Sequence, residues 1–177
     1  MATTEAIDDL VRKMREERRA LLELPPQLSE EEAEYRPPDK SGEDGWSVKE
    51  QLSHLAEMEV GYRAWVQRAL AEENPDISEG TVRDPVAFPL EDAHDATIAE
   101  HLAELARQRE RTMELIAGIA PQDYERPARS RAFGKLTVMQ WLRSYYRHDR
   151  MHQAQISGRE SEYTPNFLDR EPDQRRR

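Results

Sequence analysis

The chain has 177 residues, of which 37% are apolar and 35% charged, and its formal net charge is −10. This length predicts one domain with a real core, and the acidic charge argues against nucleic-acid binding, which needs a basic surface. Because the chain has no cysteine, it cannot form a disulfide, a thiolate-ligated zinc site or an internal thiol nucleophile, so any metal must be held by His, Asp or Glu.

The first two helices are predicted from apolar periodicity and end signals. Apolar side chains recur at helical spacing from Thr4 to Leu24, and Pro25-Pro26 ends this helix because proline cannot donate the helical hydrogen bond. After a loop of roughly twenty residues, Ser47 and a glutamate three positions later form a capping box. The second helix continues to about Glu73, where Asn74-Pro75 stops it.

Two further helices follow a surface crossover at residues 74–90. The third begins between Asp92 and Thr97, where Thr97 and Glu100 offer a second capping box, and it ends near Ala120. The fourth is capped by Thr137 and ends at Gly158, a residue typical of the position after a helix. We therefore predict a single all-α domain, a four-helix bundle over residues 1–158, with long loops after helices 1, 2 and 3. Residues 159–177 are predicted to be a polar C-terminal tail.

The sequence also predicts where the chain resides. It contains no apolar run approaching the roughly 20 residues of a membrane span and no charged-then-apolar signal segment at its start. We expect a soluble cytoplasmic protein that does not contact membranes or nucleic acid.

Histidines on two of the predicted helices are candidate metal ligands. His148 and His152 lie four residues apart in the last helix, so both imidazoles leave the same face, with Cβ atoms roughly 6 Å apart. His54 lies on or beside the apolar stripe of the second helix, at a depth within about one turn of the pair. Three neutral imidazoles would leave coordination positions open, as a catalytic metal requires. The alternative is two ordinary helical histidines and a hydrogen-bonded core histidine at His54.

Other polar residues near these histidines have simpler interpretations. The segment from His148 to His152 has Asp149 where the zincin motif has its glutamate base, but we expect Asp149 to face solvent. Glu57 lies one turn from His54 and could orient its imidazole, but we expect the Glu57 side chain to be exposed to solvent. His94 and His101 are expected on the surface.

Two segments carry a resemblance to a known family. They are residues 46–55, WSVKEQLSHL, and residues 148–156, HDRMHQAQI. The first is similar to the start of the second helix, and the second to the last helix, of the DinB/YfiT-like superfamily. The likeness spans residues 4–158. It implies a four-helix bundle in which His54, His148 and His152 bind a divalent metal, often zinc or nickel.

The resemblance also indicates a class of reaction. Characterised members of the superfamily include transferases and isomerases that use low-molecular-weight thiols such as bacillithiol or mycothiol. We therefore expect a metal-dependent enzyme that transfers a low-molecular-weight thiol to an electrophilic small-molecule substrate. Two alternatives stay open: a hydrolase that uses metal-bound hydroxide, and a non-catalytic module that binds a metal or a partner, as a homodimer through exposed helix faces. The sequence does not assign a catalytic residue.

Overall fold

The computed structural model describes residues 1–161, 163–164 and 175–176, and four long helices and one short helix dominate this part of the chain. The helices are α1 Thr4–Leu22, α2 Glu30–Glu34, α3 Val48–Ala71, α4 Ile98–Ala117 and α5 Val138–Ile156. The predicted all-α four-helix bundle is confirmed. It is formed by α1, α3, α4 and α5, with α5 packed against α1 and α3, and α3 also packed against α4.

The predicted capping signals fix the starts of three bundle helices. The side chains of Ser47, Thr97 and Thr137 each accept a hydrogen bond from the backbone N–H three residues later. The side chain of that later residue in turn accepts a hydrogen bond from the backbone N–H of the capping residue. After α5, Gly158 has φ +64°, a left-handed conformation that glycine adopts without strain. These caps are confirmed, and each helix ends within about a turn of its predicted bound.

The connections are more structured than the predicted loops. The first contains α2 and a 3₁₀ turn at Gly42–Gly45. The third contains an antiparallel hairpin of β1 Pro127–Ser130 and β2 Gly134–Thr137. The crossover before α4 joins this hairpin, because the Ile77 N–H donates to the Arg129 carbonyl over 2.8 Å. The sequence analysis missed the hairpin because four-residue strands are too short to show an alternating pattern.

The main core lies where α1, α3 and α5 meet the hairpin. Trp141 is completely buried there, and the ring of Trp65 contacts it at a centroid distance of 5.0 Å. Buried aliphatic side chains of the same cluster include Leu10, Met14, Val66, Leu136 and Leu142. Within the described part of the chain, no helix combines the length and the apolar character that crossing a bilayer would require.

The predicted tail falls largely outside the described residues. Beyond residue 161 the structure describes only β3 Tyr163–Thr164 and β4 Arg175–Arg176, which pair antiparallel with Tyr163 opposite Arg176. The prediction for the remainder of 159–177 lies outside the described residues.

Candidate metal centre

The three predicted histidines come together between α3 and α5. The Nε2 atoms of His148 and His152 are 3.1 Å apart. The His54 ring lies 5.1 Å from the His148 ring and 5.5 Å from the His152 ring, measured between centroids. His148 and His152 are stacked on one face of α5 by their four-residue spacing, and this face packs against the α3 surface that carries His54.

Burial sets the protonation of all three imidazoles. His152 is completely buried and His148 nearly so. Burial lowers the pKa of both rings well below the usual value, and it lowers the pKa of His54 to about 4, because desolvation disfavours the charged imidazolium. All three rings are therefore neutral near pH 7, the state in which imidazole binds a metal.

A glutamine fixes the tautomer of His152. The Gln51 amide nitrogen donates to the Trp46 carbonyl over 3.3 Å, so its oxygen Oε1 faces His152 Nδ1 at 3.1 Å. Because this oxygen can only accept, the His152 proton resides on Nδ1, and the Nε2 lone pair faces the other imidazoles. Metal-binding histidines generally have such a partner on the other ring nitrogen.

We predict that Gln51→Met weakens metal binding by about 10–100-fold, the usual effect of removing the partner of a ligating imidazole. The change keeps the size of the side chain but removes the acceptor that holds the His152 tautomer. The measurement is competition for the metal against a chelator of known affinity. The matched control is Gln67→Met, at an exposed position of the same helix; equal affinities in the two variants would refute the role of Gln51.

A carboxylate that the sequence analysis did not select completes the cluster. Glu43 Oε1 lies 3.7 Å from His54 Nε2, and ligand atoms of Glu43, His54, His148 and His152 all lie within 4.8 Å of one another. Burial, with repulsion from Asp44, raises the pKa of Glu43. Glu43 was missed because it lies in a 3₁₀ turn, where no periodicity indicates which way a side chain points.

These residues fit a divalent metal. His54 Nε2 is buried and, among the described residues, finds no hydrogen-bond partner, a costly state for a polar atom unless something else binds it. Imidazole and carboxylate are ligands of zinc and of neighbouring transition metals. Ligand atoms around one tetrahedral zinc ion are roughly 3.4 Å apart. The distances of 3.1 Å between the His148 and His152 nitrogens and 3.7 Å between Glu43 and His54 are close to that value, and all four ligand atoms lie within 4.8 Å of one another.

Asp149 does not face solvent, so that prediction was wrong. Its side chain is fully buried, and its carboxylate accepts hydrogen bonds from Arg18 Nη2 over 2.8 Å and from Arg109 Nη2 over 2.9 Å. Two guanidinium groups thus engage the carboxylate, so it is not free to act as a zincin-like base. Asp149 is buried because α5 packs against α1 and α3 and because arginines of α1 and α4 contact its carboxylate.

The Asp149 contacts belong to a buried network with one charged residue from each bundle helix. Arg18 of α1 and Arg109 of α4 both also donate to Glu59 of α3, over 2.6 and 2.7 Å. The two guanidinium groups and the two carboxylates balance in charge. The network therefore connects all four helices next to His148.

The remaining candidate residues lie outside the cluster. His94 is exposed, as predicted, but the surface position predicted for His101 was wrong: it is buried, and its Nε2 pairs with the Ala93 carbonyl at 2.8 Å. Glu57 is partly buried and accepts from the Leu90 N–H over 3.1 Å. This hydrogen bond attaches the crossover before α4 to α3.

Comparison with known proteins identifies the family. The sequence model of the DinB superfamily matches residues 13–156 of this chain, a range that includes all three histidines. The chain is also 28% identical over 139 residues to the uncharacterized protein YuaE of Bacillus subtilis (strain 168), covering 73% of this chain and 83% of YuaE.

A solved structure has the same fold. YfiT from Bacillus subtilis, described as a probable metal-dependent hydrolase with an unusual four-helix bundle topology, superposes with a TM-score of 0.71 at 19% sequence identity. The match covers 89% of this chain and 87% of YfiT. The family match over most of the chain leads to one conclusion: this chain belongs to the DinB superfamily.

Proposed function

We propose that this protein is a metal-dependent enzyme that transfers a low-molecular-weight thiol to an electrophilic small molecule. In this proposal His54, His148 and His152 hold a divalent ion, zinc or nickel. The observation that carries it is the meeting of three largely buried imidazoles from two helices, with ligand atoms within 4.8 Å of one another. Helices hold such a constellation more rigidly than loops do.

The ligand set suits activation of a thiol. A bound divalent ion would supply a Lewis acid that lowers the pKa of a thiol or of a water molecule. The protein supplies the rest: burial keeps the imidazoles unprotonated, Gln51 orients His152, and the Trp46 ring covers one side of His54 at a centroid distance of 4.8 Å.

Two features favour a thiol over water as the nucleophile. A free thiol has a pKa near 8.5 and water one near 15.7, so a thiol needs a smaller shift and less help from a general base. Asp149, the acid nearest to the histidine pair in sequence, is engaged by two arginines. Because the chain has no cysteine, the thiol must come from a second substrate.

Metal-dependent hydrolysis is the second candidate. It is favoured by the description of YfiT as a probable metal-dependent hydrolase and by the Glu43 carboxylate beside the imidazoles. In such a reaction a carboxylate at this position could accept a proton from water.

The test is turnover by protein that has been stripped with a chelator and reloaded with zinc or nickel. We expect consumption of a chloronitrobenzene electrophile that requires both metal and added thiol, is lost in His148→Ala and is retained in His94→Ala. Ester hydrolysis without thiol would instead support the hydrolase. Metal uptake without thiol transfer or ester hydrolysis would support the non-catalytic metal-binding module. Failure to take up metal would contradict both enzymatic proposals.

A further inference from the structure

The turn that carries Glu43 is hydrogen-bonded to α5 and leads directly into α3. Asp44 Oδ1 accepts a hydrogen bond from Gln155 of α5 over 2.9 Å, and the Trp46 N–H, just before α3, donates to the Glu43 carbonyl over 3.2 Å. Gly45 is required for this path, because a Cβ there would lie 2.8 Å from the Lys40 carbonyl oxygen. The chain therefore holds the Glu43 side chain over the cluster.

The Glu43 carboxylate differs from the acids around it. Glu34 pairs with Lys49 over 2.6 Å, Glu50 pairs with Arg36, and Asp44 is bound by Gln155. Among the described residues, the only ion-pair partner within reach of Glu43 is His54, at 3.7 Å.

That distance is longer than a hydrogen bond, and the buried His54 Nε2 atom has no hydrogen-bond partner among the described residues. The Glu43 side chain is only 36% exposed. Among the residues that the structure describes, no lysine or arginine lies within ion-pair distance of this partly exposed carboxylate to balance its charge. A cation bound among the imidazoles would supply that charge.

We propose that Glu43 is a fourth, exchangeable ligand of the metal held by the three histidines; this rests on the metal site of the proposed function. The histidines lie on long helices and are largely buried, whereas Glu43 lies on a four-residue turn and retains access to solvent. Glu43 therefore occupies the side of the cluster that solvent reaches. An incoming anionic ligand displaces the carboxylate and does not disturb the imidazoles.

This arrangement gives the metal centre a closed and an open state. With Glu43 bound, the three imidazoles and one carboxylate make a complete four-ligand set, typical of closed sites. With Glu43 displaced, one position is free for a ligand. Removal of the carboxylate should therefore lower the affinity for the metal and allow an external anion to bind the metal at lower concentration.

The experiment is titration of the full-length, chelator-stripped chain with cobalt(II), whose visible absorption reports its ligands, followed by titration with inorganic azide. The variants are Glu43→Gln and Glu43→Ala. The matched control is Asp39→Asn, which removes one negative charge from an exposed position in the same loop. Circular dichroism verifies that each variant is folded.

We expect Glu43→Gln to bind cobalt about 10-fold or more weakly than the wild type, Glu43→Ala to bind it still more weakly, and both to show altered cobalt spectra. Azide should bind to both cobalt-loaded variants at lower concentrations than to the wild type, while Asp39→Asn behaves as the wild type. Wild-type affinity, spectrum and azide response in the folded Glu43 variants would overturn the role of Glu43 and leave the three-histidine site intact. Absence of cobalt binding by the wild type would overturn the metal site itself.

Discussion

Replacing His152 with alanine is expected to abolish stoichiometric metal uptake and lower metal affinity by more than about 100-fold. Loss of a direct ligand should exceed the 10–100-fold effect of losing a partner behind one. The bundle should persist, since leaving the buried Gln51 oxygen without its partner costs about 1–3 kcal/mol against a typical total stability of about 5–15 kcal/mol. The measurement is metal content after reloading and dialysis, with circular dichroism to establish helicity.

The matched control is His94→Ala, which removes an exposed histidine outside the cluster. It should retain the full metal content. If His152→Ala is folded and still retains the wild-type content, then His152 is not a ligand and the assignment on α5 is incorrect.

Replacing Arg109 with methionine is expected to lower the free energy of unfolding by about 3–5 kcal/mol, the usual cost of removing one partner from a buried ion pair. The variant leaves Glu59 without one of its two guanidinium partners, and Asp149 likewise. Both carboxylates are fully buried, so water cannot replace the lost hydrogen bonds. Urea denaturation at neutral pH measures the change.

Arg107→Met is the matched control on the same helix. Arg107 also forms an ion pair, with the buried Glu104, but the Arg107 side chain is 45% exposed. Glu104 keeps its hydrogen bonds from Gln108 and from the Ala87 N–H in this variant, so the loss should be close to the value of about 0–1 kcal/mol for an exposed pair. We expect a change of at most about 1 kcal/mol for this variant. Similar small changes in both variants would mean that the buried network contributes little to the stability of the bundle.

The network also bears on the metal centre. Asp149 directly follows His148 in α5, and its carboxylate is held by arginines from α1 and α4. These bonds fix the rotation of α5 about its axis, and thereby the direction in which His148 and His152 point.

The sequence was sufficient for the helices because local signals determine their ends. Capping at Ser47, Thr97 and Thr137 depends on a side chain and a backbone group three residues away, so the pattern is visible in the chain itself. The four-residue spacing of His148 and His152 likewise places both rings on one face without reference to the rest of the fold.

The sequence was insufficient where tertiary contacts determine the environment. Arg18 and Arg109 fall on the buried stripes of their helices, at helical spacing from Met14 and Leu105, and a charge in such a position indicates a buried partner. Identifying Glu59 and Asp149 as the partners requires the positions of all four helices. No sequence pattern identifies Glu43 as part of the site, because its position beside the imidazoles depends on the path of the loop before α3.

The most direct test is anomalous diffraction from crystals grown with zinc or nickel, with data collected on either side of the absorption edge of the metal. We predict one strong anomalous peak between α3 and α5, at about 2.0–2.1 Å from a ring nitrogen of each of His54, His148 and His152. A metal peak elsewhere, or one that lacks His54 as a ligand, would contradict the assignment of this cluster as the metal centre.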